Sequence, residues 1–210
     1  MRSRTPRETG RGRRVDQWQQ INPLFSFPEP HSDSWGAKRT NKAVGRVFRG
    51  KSTHKVDGKG RVSIPALFRR VIEASDPNWT DGLNPELVIV YGDPRRKCLD
   101  CYTMEAMQEV DAKIAALPRG SNARKILETM MHGHSHPTSI DETGRLVLPA
   151  KLREKLQLEG EALFLASGDT FQIWKPETYE AEEAPKTEDW LARQPEDFDP
   201  LTLLDNPDRV

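Results

Sequence analysis

Cysteine is nearly missing from this chain, and so is any long apolar run. Two cysteines, Cys98 and Cys101, in 210 residues are too few for a disulfide framework, which points to a reducing compartment. No stretch approaches the roughly 18 apolar residues of a membrane-spanning helix, so no membrane partner is expected. The Arg-rich start has no apolar core of the kind a secretory signal carries, and a cytoplasmic location follows as the expectation. Catalytic signatures are missing as well. There is no G-x-S-x-G elbow, P-loop, dinucleotide fingerprint or H-E-x-x-H helix. Gly58-Lys59-Gly60 is not followed directly by a helix start and does not read as a phosphate cradle. An enzyme, a small-molecule substrate and a cofactor are therefore not expected. With 35% hydrophobic and 30% charged residues, the composition leans polar, so part of the chain should lie outside any core.

Net charge is zero, but the charges are segregated. Residues 1–46 carry ten Lys/Arg against four Asp/Glu, and residues 181–210 carry nine Asp/Glu against three Lys/Arg. A basic arm favours nucleic acid through phosphate contact, and an acidic tail repels it. Both ends read as solvated segments without a packed core. The domain reading is a basic, disordered extension over 1–46, a first module over 47–120, a helical linker over 121–136, a second module over 137–184 and an acidic, disordered tail over 185–210. In that tail Trp190-Leu191 and Leu201–Leu204 offer transient docking residues.

The two modules are copies of one another. Asp57-Gly-Lys-Gly-Arg-Val-Ser-Ile-Pro-Ala-Leu-Phe-Arg69 matches Asp141-Glu-Thr-Gly-Arg-Leu-Val-Leu-Pro-Ala-Lys-Leu-Arg153 at an offset of 84, with six of thirteen positions identical. Leu87–Asp93 then aligns with Leu163–Asp169, four extra residues follow Asp93, and Leu99–Tyr102 aligns with Phe171–Trp174. In each copy an Asp and a Gly frame a tight turn, with the Gly suited to positive φ. A returning strand follows, and Pro65 or Pro149 closes it and opens a short helix. Between the copies, Thr103 caps a helix with Met107, Val110, Ile114 and Leu117 on one face, and Ser121 starts a second helix that ends near Gly133.

With Phe48-Arg-Gly50 opening the first copy and Asp-x-x-Gly-Arg-x-x-x-Pro in both, the chain resembles the MraZ family over about residues 47–180. The resemblance implies an α+β fold in which two tandem swapped-hairpin, AbrB-like modules form a small β-barrel with flanking and linking helices. It also implies a homo-oligomeric ring, associated with the nucleoid. Such a ring acts as a transcription regulator that binds G-rich direct repeats of double-stranded DNA in the promoter of the division and cell-wall gene cluster, its own gene included. The family's DNA-contacting element carries over to Asp57 with Arg61 and to Asp141 with Arg145. The chain departs from the family pattern in two places. Thr143 stands where the first copy has Lys59, so the halves need not contribute equally. Family chains usually begin near Val47-Phe48, so the long basic extension is either an added arm or a sign that Val47 is an alternative start, and its proline-bearing, mixed composition favours the second.

Guanidinium can pair bidentately with the O6 and N7 of guanine, which makes Arg61 and Arg145 the candidate base readers. Lys59, with Lys51, Lys55 and Arg49, is a candidate phosphate contact that positions without reading sequence. Asp57, Gly60, Asp141 and Gly144 belong to the turns that present them. The competing reading is that each Arg only braces its own Asp. Arg69 and Arg153 read as braces between the modules. A second function class is a metal-binding or redox barrel using Cys98, Cys101 and the histidines His132, His134 and His136. On a strand, however, Cys98 and Cys101 face opposite ways, so no metal is assigned.

Overall fold

In the computed structural model the described residues are 47–205; the expectations for residues 1–46 lie outside them. The first copy contains β1 (Lys51–Lys55), β2 (Arg61–Ser63), α1 (Ala66–Ala74), β3 (Glu86–Val90) and β4 (Cys98–Thr103). Two linking helices follow, α2 (Met104–Ala115) and α3 (Asn122–Leu127), and α3 runs on as a π-helix over Glu128–Gly133. The second copy contains β5 (Ser135–Ser139), β6 (Arg145–Val147), α4 (Ala150–Leu156), β7 (Glu161–Ser167) and β8 (Thr170–Trp174). The chain continues through α5 (Pro176–Thr178), a π-helical stretch (Tyr179–Glu183) and α6 (Ala184–Ala192) to a 3-10 turn at Pro200–Leu204.

The α+β expectation is met, but the strands do not close into a barrel. They form a six-stranded antiparallel sheet in the order β1-β7-β8-β4-β3-β5 and a separate two-stranded ribbon, β2-β6. The sheet keeps two edges. One is β1, bearing Lys51 and Lys55; the other is β5, where Pro137 withholds a donor. Charge and proline are the usual guards against edge-to-edge pairing.

The copies interlock. First-copy β1 pairs with second-copy β7, and second-copy β5 pairs with first-copy β3. In the ribbon Val62 sits opposite Leu146, its own counterpart 84 residues on, while Arg61 faces Val147 and Ser63 faces Arg145. An approximate two-fold axis thus passes between Val62 and Leu146. It also passes between Asp100 and Gln172, which pair in register across β4 and β8; there the Gln172 amide donates to Asp100 at 3.3 Å.

This symmetry corrects the repeat alignment by one residue. Thr53 pairs with Leu163, and its counterpart Pro137 pairs with Val88, so β3 and β7 correspond at an offset of 75, not 76. Leu87 matches Ala162 and Ile89 matches Phe164, all four fully buried. The shared Gly-Asp lies in loops of different length, where sequence identity carries no register. Since β4 and β8 correspond at an offset of 72, the first copy has three extra residues there, not four.

The interlocked strands enclose one principal core. Val62, Ile64, Leu146 and Leu148 from the ribbon side meet Leu87, Ile89, Leu99, Phe164, Phe171 and Ile173 from the sheet. Phe48 lies with ring centroids 5.0 Å from both Phe68 and Phe171, so the start of the first copy is pinned by aromatic contacts. The linking helices form as expected. Thr103 Oγ1 accepts from the Ala106 amide at 3.1 Å and Ser121 Oγ from the Arg124 amide at 3.2 Å, each cap satisfying a donor at a helix start.

The acidic segment expected to lack structure instead forms α6 and a 3-10 turn. The helical stretch leading into α6 is fastened by its own charges. Lys51 Nζ donates to Glu180 at 3.1 Å and lies over the Tyr179 ring, while Lys97 reaches Glu182 at 2.5 Å. Tyr179 packs edge-on against Trp174.

Gly60 and Gly144 have φ of +81° and +76°, and each lies against the opposite copy. A Cβ on Gly60 would strike the Leu148 carbonyl oxygen, which is fixed backbone; one on Gly144 would strike the guanidinium end of Arg69. Both Ala substitutions carry the positive-φ cost of about 1–2 kcal/mol. Because a side-chain tip yields more readily than backbone, Gly60→Ala is expected to lower the melting temperature more than Gly144→Ala. Equal losses in thermal unfolding would contradict this packing.

Candidate nucleic-acid interface

The two hairpin turns have the same wiring. Asp57 Oδ1 accepts from the amides of Lys59 and Arg61, both at 2.9 Å, and the Gly60 amide donates to the Asp57 carbonyl at 2.8 Å. Asp141 Oδ1 accepts from the amides of Thr143 and Arg145, both at 2.9 Å, and the Gly144 amide donates to the Asp141 carbonyl at 2.8 Å. One carboxylate oxygen thus collects turn amides that would otherwise face solvent unpaired. The positive φ of the glycine completes the turn.

The arginines are held differently. Arg61 Nε donates to Asp57 Oδ2 at 2.7 Å. Arg145 Nε donates at 2.7 Å to Thr143 Oγ1, whose hydroxyl in turn donates to Asp141, and it stands 3.6 Å from Asp141 Oδ2. The bracing reading is therefore met directly at Arg61 and through a hydroxyl at Arg145. Only Nε is engaged in these bonds, which leaves the Nη1/Nη2 fork at the outer end of each side chain. Bracing and ligand contact are compatible.

The ribbon has two distinct faces. Val62 and Leu146 point into the core with no exposure. Arg61, Ser63, Arg145 and Val147 alternate outward, with Ser63 and Val147 exposed and both arginine side chains a little over a third exposed. Register places Arg61 beside Val147 and Arg145 beside Ser63, so the two guanidiniums occupy diagonal corners of a narrow two-stranded face. Lys59 is exposed at the first turn, while Glu142 and Thr143 are exposed at the second. Single-sequence reading missed Ser63 and Val147, although strand alternation from Arg61 carried that signal. It also missed Thr143 as the partner of Arg145.

Arg69 and Arg153 cross between the copies. Arg153 lies against Gly60 and donates through Nε to the Leu148 carbonyl at 3.1 Å, and Arg69 lies against Gly144. The reciprocal amide bonds Ile64 to Gly144 and Leu148 to Gly60, at 3.0 and 2.7 Å, tie each turn to the other copy's strand. Arg69 Nε is buried and has no hydrogen-bond partner among the described residues. Of the other phosphate candidates, Lys55 and Arg49 are exposed. Lys51 is engaged by Glu180 near the far end of β1.

The metal or redox reading does not survive the geometry. Cys101 joins the main core, whereas Cys98 faces a separate cluster with Leu163 and Trp174. Burial pushes both thiols above their ordinary range, opposing the thiolate that metal binding or exchange requires. His132 pairs with Asp111, His134 bonds the Thr129 carbonyl, and His136 lies in β5 opposite Ile89. Among the described residues no three His, Cys, Asp or Glu side chains gather as metal ligands.

The geometry defines a class: a duplicated α+β protein whose interlocked hairpins hold a two-arginine ribbon outward. A family model described as "MraZ protein, putative antitoxin-like" matches residues 131–198, which take in the whole second copy from β5 to β8. A protein of Ruegeria pomeroyi named transcriptional regulator MraZ is 70% identical over 162 residues, which cover 77% of this chain and 97% of that protein. Proteins of the same name from Cereibacter sphaeroides and Hydrogenovibrio crunogenus are 45% and 32% identical, over 77% and 64% of this chain and 98% and 83% of their own lengths. The chain belongs to the MraZ family of transcriptional regulators. No helix among the described residues is long and apolar enough to cross a membrane.

Turn wiring also sets an acid sensitivity. The Asp57 carboxyl is held below its ordinary range by the Arg61 amide and then by the Arg61 side chain. Asp141 is held low first by the Thr143 hydroxyl and then by the Arg145 amide. A carboxylate whose folded-state pKa is depressed stabilises the fold above its unfolded pKa and loses that contribution as pH falls through the folded value. The native protein should therefore lose melting temperature below about pH 4, and a double Asp57→Asn, Asp141→Asn variant should lose less over the same range. Parallel pH profiles would contradict this role for the carboxylates.

Proposed function

We propose that the chain is a sequence-specific DNA-binding regulator that lays its β2-β6 ribbon into the major groove. The observation that carries this reading is the outward ribbon face, with Arg61 and Arg145 at diagonal corners and each Nε held by its own turn. A major groove admits a two-stranded ribbon, and a guanidinium fork matches guanine O6 and N7, each bidentate pair giving roughly 1–3 kcal/mol of discrimination. Lys59, exposed beside Arg61, is the phosphate contact. Asp57, Gly60, Asp141 and Gly144 act by shaping the turns.

Residues 47–120 and 137–184 correspond to two AbrB-like modules joined by 121–136, with their hairpins exchanged. The DNA is taken to be G-rich direct repeats upstream of the chain's own gene and the division and cell-wall cluster, which places the protein in the cytoplasm at the nucleoid. Residues 47–180 balance to zero net charge, so one ribbon has little non-specific attraction to add to its specific contacts. A homo-oligomeric ring that repeats the ribbon overcomes this through multivalency. Exposed Ile126 and Leu127 on α3, with Leu201 and Leu204 beyond α6, provide apolar surface suited to self-association.

Two measurements test the proposal. Arg61→Ala should abolish promoter binding with oligomer size preserved and only a small loss of melting temperature from the lost Asp57 pair, and Arg61→Lys should also fail, because an ammonium cannot form two parallel hydrogen bonds. Lys59→Ala should instead weaken promoter and random DNA alike. A well-folded Arg61→Ala protein with native promoter affinity would refute base reading by the ribbon. DNA with a single box should bind far more weakly than DNA with two or three at natural spacing, and equal affinities would remove multivalency from the account.

A further inference from the structure

The two ends of the ribbon are chemically unequal, although the backbone makes them nearly equivalent. At the first end the turn residues are Gly58 and Lys59, and Arg61 is held by Asp57 directly. At the second end Glu142 replaces the glycine and Thr143 replaces the lysine, and Arg145 is held by the Thr143 hydroxyl. Taking turn and arginine together, the first end carries Lys59 and Arg61 against Asp57. The second carries Arg145 against Asp141 and Glu142. One end is thus a net cation and the other a net anion. Glu142 is exposed, and no Lys or Arg among the described residues forms an ion pair with it.

Backbone strain does not force this difference. Gly58 has ordinary φ, and a Cβ at that position would meet only open space, so either turn can take a side chain there. The choice of residue is therefore free to serve binding chemistry. A carboxylate beside a groove-facing arginine repels the phosphates of any duplex that the arginine does not engage. Its cost is largest where the turn rests on the sugar-phosphate backbone, as in non-specific binding, and smaller where the arginine fork is seated on a base edge in the groove. That is discrimination by penalising the wrong partner.

We propose that Glu142 and Thr143 are specificity determinants: they keep the Arg145 end from binding DNA backbone non-specifically, leaving Lys59 at the Arg61 end to anchor phosphate. This rests on the ribbon reading above. The Thr143 hydroxyl oxygen accepts the Nε hydrogen bond of Arg145, fixing the fork outward for base contact. Glu142 makes the same end a poor site for phosphate alone.

The test compares the native protein with Glu142→Gln and with the double variant Glu142→Gly, Thr143→Lys, which copies the first turn. Each is titrated against a duplex from upstream of the chain's own gene and against a random-sequence duplex of equal length. Affinity for random DNA should rise about five-fold in Glu142→Gln, the scale of one unit charge near a phosphate in water, and further in the double variant. Promoter affinity should rise less, so the specific-to-random ratio falls. The log–log salt slope of the double variant should steepen by about one for each additional phosphate neutralised. Arg61→Ala and Arg145→Ala serve as controls, with melting temperature confirming the fold of every variant. An unchanged ratio and slope in both turn variants, with promoter binding still lost in the arginine controls, overturns this proposal and leaves the ribbon reading standing. Native promoter binding in both arginine controls overturns the ribbon reading, and this proposal with it.

Discussion

Everything that gives this protein a presentable surface depends on the antiparallel pairing of Arg61–Ser63 with Arg145–Val147. Three residues a side is a short strand pair, and an isolated pair of that length would be marginal in water. It persists because Val62 and Leu146 are driven into the common core, and because the Ile64 and Leu148 amides just past each returning strand donate to the opposite copy's turn. Truncating a fully buried leucine of this kind costs roughly 2–5 kcal/mol. Ribbon, core and exchanged edge strands therefore form one cooperative unit, and neither copy buries its hairpin alone.

Rigidity at the turns separates two jobs that single residues might otherwise share. Asp57 and Asp141 are occupied with turn amides, and Gly60 and Gly144 make room for the opposite copy's Arg153 and Arg69. Arg61 and Arg145 can then be fixed at Nε without losing the outer fork, which lowers the ordering cost of binding. A second asymmetry lies away from the ribbon. The longer β3-β4 loop of the first copy carries Lys97, which with Lys51 grips the acidic helical stretch after Trp174. Exposed ion pairs contribute only about 0–1 kcal/mol each, so the edge-on contact of Tyr179 with Trp174 supplies much of that anchoring.

Much of the fold was legible in the order of residues alone. The 84-residue repeat, both turns, the prolines opening the short helices and the Thr103 and Ser121 caps all depend on local chemistry, and each formed where expected. The barrel and the unstructured acidic tail did not form as expected. Closure depends on which edges find partners, and no local signal distinguishes a strand that exchanges from one that closes. The tail forms a helix whose Trp190 meets Phe198 edge-on, a contact between residues eight apart that composition does not reveal. The alignment of β3 with β7 slipped by one residue because a shared Gly-Asp in unequal loops outweighed burial, which only the pairing of Thr53 with Leu163 and Pro137 with Val88 could reveal.

The sequence by itself determined that this is a duplicated protein, where each turn falls and which arginines follow the turns, because those features follow from backbone preferences over a few residues. Only the tertiary structure decided that the hairpins exchange, that Val62 meets Leu146, and that Arg61 and Arg145 share one outward face. Those outcomes are set by pairing between segments some eighty residues apart, where the energy lies in joint burial and not in any one strand.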